Sequence, residues 1–453
     1  MTEFADLVAA ITARPGDDTP RLIAADWLDD RGEHAYASFI RDQIQLHHAD
    51  PWDGFAIRAR HQRKVELTLG LPYRSYLPVL PHFLHWHPEK AFRRGFGSGV
   101  IVRQLSGLIE AGQHLFDLAP IDELWLGPAT LDEWRHIARS PWLMNVRKVH
   151  LMMTTGLIEP VRCLAESPYA LNIDEIWFDT LATPAAGTVM EALAESKLAP
   201  QLEGLHLRLV PIDSSEEVSS ALILNRWQKL RKLSLIQCEF ESEHDQVFQL
   251  FQSPWAEHLL RLNMSRSINQ NLITIRPQYD GDRLEYGDGI DWRIWLDSQH
   301  LLPKLRELRV CENANFSFGV LLNQEFIGWR RAIRSISLSG CRAYSPVVTD
   351  FIAAFDPREV REIEMANVTD TIRWGPRIDR SEIWNRLRIL DLSGQGITFD
   401  RRDPIADIPV PPELEALILS TSSMPPSDRA AMDARFGDRI VWQDDPPDHG
   451  LSR

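Results

Sequence analysis

At 453 residues, with 44% hydrophobic side chains and 25% charged ones, the chain has the material for a sizeable folded core. Its net charge of −15 is distributed along the sequence; no run of Lys and Arg is visible against that field, so nucleic acid is not an expected partner. The N-terminus mixes acidic with apolar residues, unlike a signal peptide, and nowhere is there an unbroken apolar stretch of about 18 residues, so no membrane partner is expected either.

In chain order, three short helices are predicted first, over 3–13, 19–32 and 33–47. Thr19 followed by Pro20 reads as an N-cap with proline at the first helical position, and Gly32 as a stop. Leu22, Ile23, Trp27 and Leu28 give the second helix an apolar side, while Asp26, Asp29 and Asp30, with Arg21 and Arg31 nearby, form a solvated, partly ion-paired face. The stretch 17–46 carries Asp18, Pro20, Arg21, Ala25, Asp26, Trp27, Leu28, Arg31, Gly32, Phe39, Ile40 and Arg41. On those residues it closely resembles the repeat-companion domain, a short N-terminal module of bacterial repeat proteins. The resemblance implies a helical domain over 1–50 in a bacterial cytosol, with no established activity.

Residues 51–94 read as a linker and N-terminal cap. His82, His85 and His87, with Glu89 close by, are the nearest approach to a metal-ligand set. Pro78, Pro81 and Pro88 deny them a helical frame, so the expectation is a packed linker without metal. A metal-dependent hydrolase built on this cluster is the alternative from a different functional class.

From here a spacing φ-x-x-φ-x-φ recurs, beginning at Ile121, Val146, Ile173, Leu202, Leu230, Leu259, Leu305, Ile333, Val360, Leu387 and Leu414. Successive steps are 25, 27, 29, 28, 29, 46, 28, 27, 27 and 27 residues. The last four positions of each segment alternate apolar and polar, which predicts a short strand with one buried face. The intervening segments place apolar residues three and four apart, which predicts helices. One strand and one helix cannot close a core alone, whereas stacked units can. "GFGSGVIV" at 95–102 places Val100 and Val102 one period ahead of Leu124 and Leu126, as a first, capping strand.

The unit "LRKLSLIQCEF", with Leu230, Leu233, Leu235, Cys238 and Phe240 in register, resembles the leucine-rich-repeat pattern L-x-x-L-x-L-x-x-N/C-x-L. The family implies an α/β solenoid, a right-handed horseshoe with a parallel sheet on its concave face and helices on its convex face, here over about 95–443. It also implies that Cys238, Asn313 and Cys341 bond backbone in the bend after each strand; Thr154, Leu181, Val210, Val368 and Gln395 stand there in other units and make the horseshoe irregular. The 46-residue step signals an insertion within 265–300, with a hairpin around Asp280 and Gly281. Leu284 occupies the place of a third ligand in its acidic stretch, which argues against calcium. A last helix and strand are expected before a disordered tail over 444–453.

Within each segment the polar residue between the last two apolar ones points to the concave face. That column reads Trp125, His150, Trp177, His206, Ser234, Asn263, Arg309, Ser337, Glu364, Asp391 and Ile418, and it is expected to face solvent. Exposed tryptophans amid charge are the stuff of binding hot spots, so Trp125, His150, Trp177, His206, Arg208 and Arg309 are the candidate binding residues. No G-x-S-x-G, P-loop or dinucleotide fingerprint occurs, and neither catalysis nor a cofactor is expected. Cys163, Cys238, Cys311 and Cys341 lack disulfide or metal spacing and suit a reducing cytoplasm. The functional expectation is a non-enzymatic scaffold with a protein partner, or an adaptor whose N-terminal domain recruits an enzyme or shared component.

Overall fold

The computed structural model describes residues 2–50, 54–61, 70–152, 158–179, 185–209, 216–223, 226–238, 250, 252–265, 278–280, 283–285, 302–311, 333–340, 360–368, 371–374, 384–394, 396–399 and 409–443. The chain divides into two compact units, Met1–Leu209 with Ser220–Leu230, and Val210–Ser219 with Arg231–Arg453.

The first unit begins with helices α1 (Thr2–Ala13), α2 (Thr19–Asp29) and α3 (His34–His48). Pro20 does sit in the first turn of α2, with Asp18 instead of Thr19 as the cap. Gly32 takes a left-handed φ of 83° in the turn that follows. The buried side of α2 is Arg21, Ala24, Ala25 and Leu28, whereas Leu22 and Ile23 are 41% and 51% exposed. The predicted apolar side was therefore rotated. An arginine that donates to the Asp17 carbonyl at 2.8 Å is what goes inside, and burial, with Arg94 beside it, lowers its pKa to about 10. The acidic face is ion-paired as expected, though mainly through Arg41, which reaches Asp26 at 2.7 Å and Asp29 at 2.6 Å. These helices share one core with the segment that follows: Ile11, Ala25, Phe39, Ile40 and Ile44 pack with Leu77, Phe92 and Phe96.

Next come β1 (Leu84–Trp86), β2 (Phe92–Arg93), β3 (Phe96–Gly97) and β4 (Gly99–Val102). Strand β1 is antiparallel to β4, and β2 pairs with β3 in a small hairpin. Strands β5 (Glu123–Leu126), β6 (Lys148–Leu151), β7 (Glu175–Phe178) and β8 (Gly204–Arg208) then add in parallel. Val100 opposes Leu124 and Val102 opposes Leu126, the register expected of a capping strand. Alternation sends Leu124, Leu126, Val149, Leu151, Ile176, Phe178, Leu205 and Leu207 to one side, each buried to within 1%. The apolar sides of α4 (Leu105–Leu118), α5 (Leu131–Ala138), α6 (Ile158–Glu166) and α7 (Ala185–Ala194) close over that side, neighbour against neighbour. Helix α5 shows why such a helix starts where it does: Thr130 accepts from the Glu133 amide, and Glu133 accepts from the Thr130 amide at 2.8 Å.

The second unit repeats the scheme with β9 (Lys232–Ile236), β10 (Arg261–Asn263), β13 (Glu307–Arg309), β14 (Ser335–Ser337), β15 (Glu362–Glu364), β17 (Ile389–Asp391), β19 (Ala416–Ser420) and β20 (Ile440–Gln443), all parallel and paired in that order. Between them β11 (Gln278–Asp280) and β12 (Arg283–Glu285) form the antiparallel hairpin expected in the insertion. A short parallel pair, β16 (Thr371–Trp374) and β18 (Gly396–Phe399), lies beyond the main strands. Helix α8 (Pro426–Phe436) precedes β20, as the last helix and strand expected from the sequence.

A feature not read from the sequence recurs three residues after five of the column positions. Leu209, Gln237, Gly340, Asn367 and Gly394 all have a φ between 54° and 74°. Their amides turn to the next repeat: Gln237 to the Ser265 carbonyl, Gly340 to Ala366 and Asn367 to Ser393, at 2.7–3.0 Å. Gly394 donates instead to Ser420 Oγ at 2.5 Å. At the other end of the strands, the carbonyl three residues before the column accepts two amides from the following repeat, as Arg306 does from Arg334 and Ser335 at 2.8 and 3.0 Å. Strands β14, β15 and β17 are thus tied at both ends, outside their own ladders.

Of the positions matched to the repeat's Asn or Cys, Cys238 is buried and approaches the Ile236 carbonyl at 3.7 Å, and Val368 is buried. Thr154, Leu181, Val210, Asn313, Cys341, Gln395 and the tail over 444–453 lie outside the described residues. Cys163, Cys238 and Cys311 are free thiols. Among the described residues no helix is long and apolar enough to cross a membrane.

Candidate functional site

The column forms as expected in register. Trp125, His150, Trp177 and His206 oppose one another on β5 to β8, and Ser234, Asn263, Arg309, Ser337, Glu364, Asp391 and Ile418 do so on β9 to β19. Its exposure is corrected. Trp125, His150 and His206 are only 6%, 3% and 6% exposed, so they are not open anchors. Neighbouring flat side chains cover one another: centroids are 4.2 Å apart for Trp125 and His150, 5.2 Å for His150 and Trp177, and 3.5 Å for Trp177 and His206, all near parallel. Strand spacing of about 4.8 Å falls within the centroid separation of offset-stacked rings, which is why a ring on every strand makes a continuous pile. Trp177 remains partly exposed, and its buried Nε1 has no acceptor among the described residues.

The pile begins in the cap. His87 stacks on Trp125 at 4.1 Å, and its Nδ1 accepts the amides of Glu89 and Lys90, both at 3.1 Å. Burial, then the nearby Lys90 charge, lowers the His87 pKa. His85 lies on β1 opposite Ile101, which opposes Trp125, so it falls in the same column. His82 packs edge-on to Phe83. The three histidines thus have separate surroundings, and among the described residues no group of His, Cys, Asp or Glu is arranged to hold a metal.

Alongside the rings runs a row that sequence reasoning missed. Two residues before the column, hence on the same face, stand Glu123, Lys148 and Glu175. Glu123 accepts from His150 Nε2 at 2.8 Å and from Lys90 Nζ at 3.1 Å, and Lys148 pairs with Glu175 at 3.1 Å. Burial would raise the Glu123 carboxyl, but the His150 hydrogen bond and the two lysines outweigh it and bring its pKa to about 2. Burial lowers His150 despite that carboxylate, so the pair is an ionised acid and a neutral imidazole donating through Nε2. Lys90 Nζ also stands 5.2 Å from the Trp125 ring and 5.5 Å from Trp177. The signal was present as an alternation of Glu and Lys two positions ahead of Trp and His.

Arg208 ends β8 half-buried, on the face of the column. Arg309 faces Glu364 at 3.2 Å and Glu307 at 3.3 Å; burial opposes its charge, while those carboxylates raise its pKa. Asn263 and Asp391 are occupied locally, accepting the amides of Ser265 at 3.0 Å and Ser393 at 2.9 Å. At the amino ends of β5 to β8 a cleft of about 390 Å³ is lined by Arg94, Asp122, Arg147, Asp174, Glu203 and Lys229, among others. Its charges alternate, and Arg147 pairs with Asp174.

No family profile matches the chain, and no curated protein matches it. Among solved structures it is similar to a chain in "Crystal structure of Rad7 and Elc1 complex in yeast", at 14% identity over 71% of this chain and 85% of that one, with a TM-score of 0.34.

Proposed function

We propose that the chain is a non-enzymatic, protein-binding scaffold. In this reading residues 95–443 form a leucine-rich-repeat horseshoe that takes a partner on the face of the column, and 1–50 form a repeat-companion domain in a cytoplasmic protein. The parallel strands that keep register within each unit, and the helices that alternate with them in the first, support the first part, since stacked repeats present a surface wider than any one of them. The observation that carries the binding role is Trp177: a partly exposed indole ring on the face of the column, beside Arg208 on the next strand. Aromatic and arginine side chains in such settings dominate interface energies. His150 and His206 hold Trp177 between them by stacking, Trp125 backs His150, and Arg309 is the polar candidate in the second unit.

The test is photocrosslinking in the native cell from position 208, compared with Arg135 on α5. A protein adduct formed from 208, absent from 135 and lost on Trp177→Ala supports the scaffold. Identical adducts from both positions overturn it. The adaptor reading has one observation in its favour, the adjacent exposed Leu22 and Ile23 on α2. A partner lost from the full chain on Leu22→Ser with Ile23→Ser, while the adduct at 208 persists, would mark the helical segment as a separate recruiting surface.

A further inference from the structure

The cleft at the amino ends of β5 to β8 is built from one set of residues per repeat. Its floor is the row Asp122, Arg147, Asp174 and Glu203, in which each amide from Arg147 onward donates to the carbonyl of the member before it, at 2.8 Å. Two residues earlier in the chain stand Asn145, Asn172 and Gln201. Immediately before the two asparagines come Met144 and Leu171, which are 47% and 64% exposed. They lie in consecutive short turns, Pro141–Asn145 and Ala170–Asn172, that pack on each other. A row of polar groups thus runs beside an apolar rim.

Most charges in the cleft cancel in place. Asp122 pairs with Arg93 and Asp174 with Arg147, while Arg94 pairs with Asp18 at 2.8 Å and donates to the carbonyls of Pro15 and Gly16. Half-buried Glu203 and exposed Lys229 have no ion pair among the described residues. The side-chain amides are oriented by the backbone. Asn172 Nδ2 donates to the Met144 carbonyl at 2.7 Å, and Gln201 Nε2 to those of Ala170 and Ile173, both at 3.0 Å. Their nitrogens are thereby committed to the fold, and each leaves its oxygen for a guest.

We propose that this cleft receives one arginine side chain from a partner protein whose chain lies across the rim. It is a surface at the strand ends, separate from the aromatic column, and it stands or falls independently of that column. A guanidinium carries five N–H donors and no acceptor, which suits the Glu203 carboxylate with the Asn172 and Gln201 oxygens beside it. The apolar stem of the same side chain suits Met144 and Leu171. A volume of about 390 Å³ admits such a group, and the exposed rim leaves a path for the chain that bears it. The net charge of −15 draws a cationic partner and repels an anionic one. Lys229 limits the choice: its charge opposes a second cation, so a single arginine fits and a polybasic run does not.

The test is an NMR titration of the full chain, labelled in its methionine methyl groups, with a peptide blocked at both ends that carries one arginine among serines and glycines. The Met144 methyl signal, assigned with Met144→Leu, is the readout. It is expected to shift saturably with this peptide, and not with one in which citrulline, the neutral isostere, replaces the arginine. Glu203→Gln should weaken binding at least about fivefold, and Lys229→Gln should tighten it about twofold. Arg135→Gln on α5 should leave it unchanged. If Glu203→Gln lowers the melting temperature, the Lys229 variant and the citrulline peptide decide. Equal shifts with the two peptides, or parental affinity in Glu203→Gln, overturn the site. Equal affinity for methylguanidinium overturns a polypeptide as its occupant.

Discussion

His150 Nε2 donates to Glu123 Oε1 at 2.8 Å from one strand to the next, and both side chains are buried. The bond pairs a carboxylate with a neutral imidazole, and both groups make the fold sensitive to acid in the same direction.

Glu123 titrates at about 2 in the fold against 4.5 when free, so the folded chain binds fewer protons there. Its contribution, up to about 3 kcal/mol, is complete above pH 4.5 and is lost as the pH falls from 4.5 toward 2. His150, lowered from 6.5, adds a loss that begins as the pH drops below 6.5. Thermal melts against pH are expected to fall in both windows, and Glu123→Gln should remove the lower one. A melting temperature flat from pH 7 to 3 would contradict the pairing.

Leu233 is 1% exposed and Ser234, its neighbour on β9, 7%. Replacing Leu233 by Ala should cost about 2 to 5 kcal/mol through lost contacts and a cavity. Ser234→Ala removes one hydroxyl and should cost about 1 kcal/mol. Urea denaturation separates the two, and equal losses would mean that the sides of the strand are exchanged.

Gly394 has a φ of 72°, and a Cβ added there meets the Asn367 amide. Gly394→Ala should destabilise by at least about 2 kcal/mol. Gly127, whose Cβ would find only ordinary contacts at 3.5 Å and beyond, is the control, and Gly127→Ala should be close to neutral.

Gly95 joins the helices to the sheet. Its amide donates to Gln43 at 3.0 Å, its carbonyl accepts from Tyr36 at 2.8 Å, and a Cβ there would lie 2.6–2.9 Å from Ile40. With a φ of 84° in addition, Gly95→Ala is expected to push α3 off its seat. Hydrogen exchange of the α3 amides should accelerate while that of β6 and β7 stays slow.

The strands and their register were legible because a period near 27 residues fixes both, and a one-residue slip would turn Leu233 and Leu390 outward. The burial of Trp125 and His150 was not legible. Alternation tells which face a side chain takes, but not that rings on adjacent strands shield each other. Leu209 and Gln237 gave no warning of a left-handed backbone, since their side chains advertise nothing of the kind as Gly340 and Gly394 do. Leu22 and Ile23 misled because hydrophobicity was set against an arginine whose burial depends on a carbonyl, Asp17 O, invisible to a helical wheel.

The ties at both ends of β14, β15 and β17 in the second unit bear on how it yields to mechanical load. Tension drawn from Arg231 toward Gln443 acts along the interstrand hydrogen bonds, opening them in sequence as a zip opens instead of shearing all together. One regular turn of sequence frees 27 residues, or about 90 Å of contour, and the turn with the insertion frees 46. Held at low force, the unit should lengthen in steps and recoil, with the insertion as the one conspicuously long step.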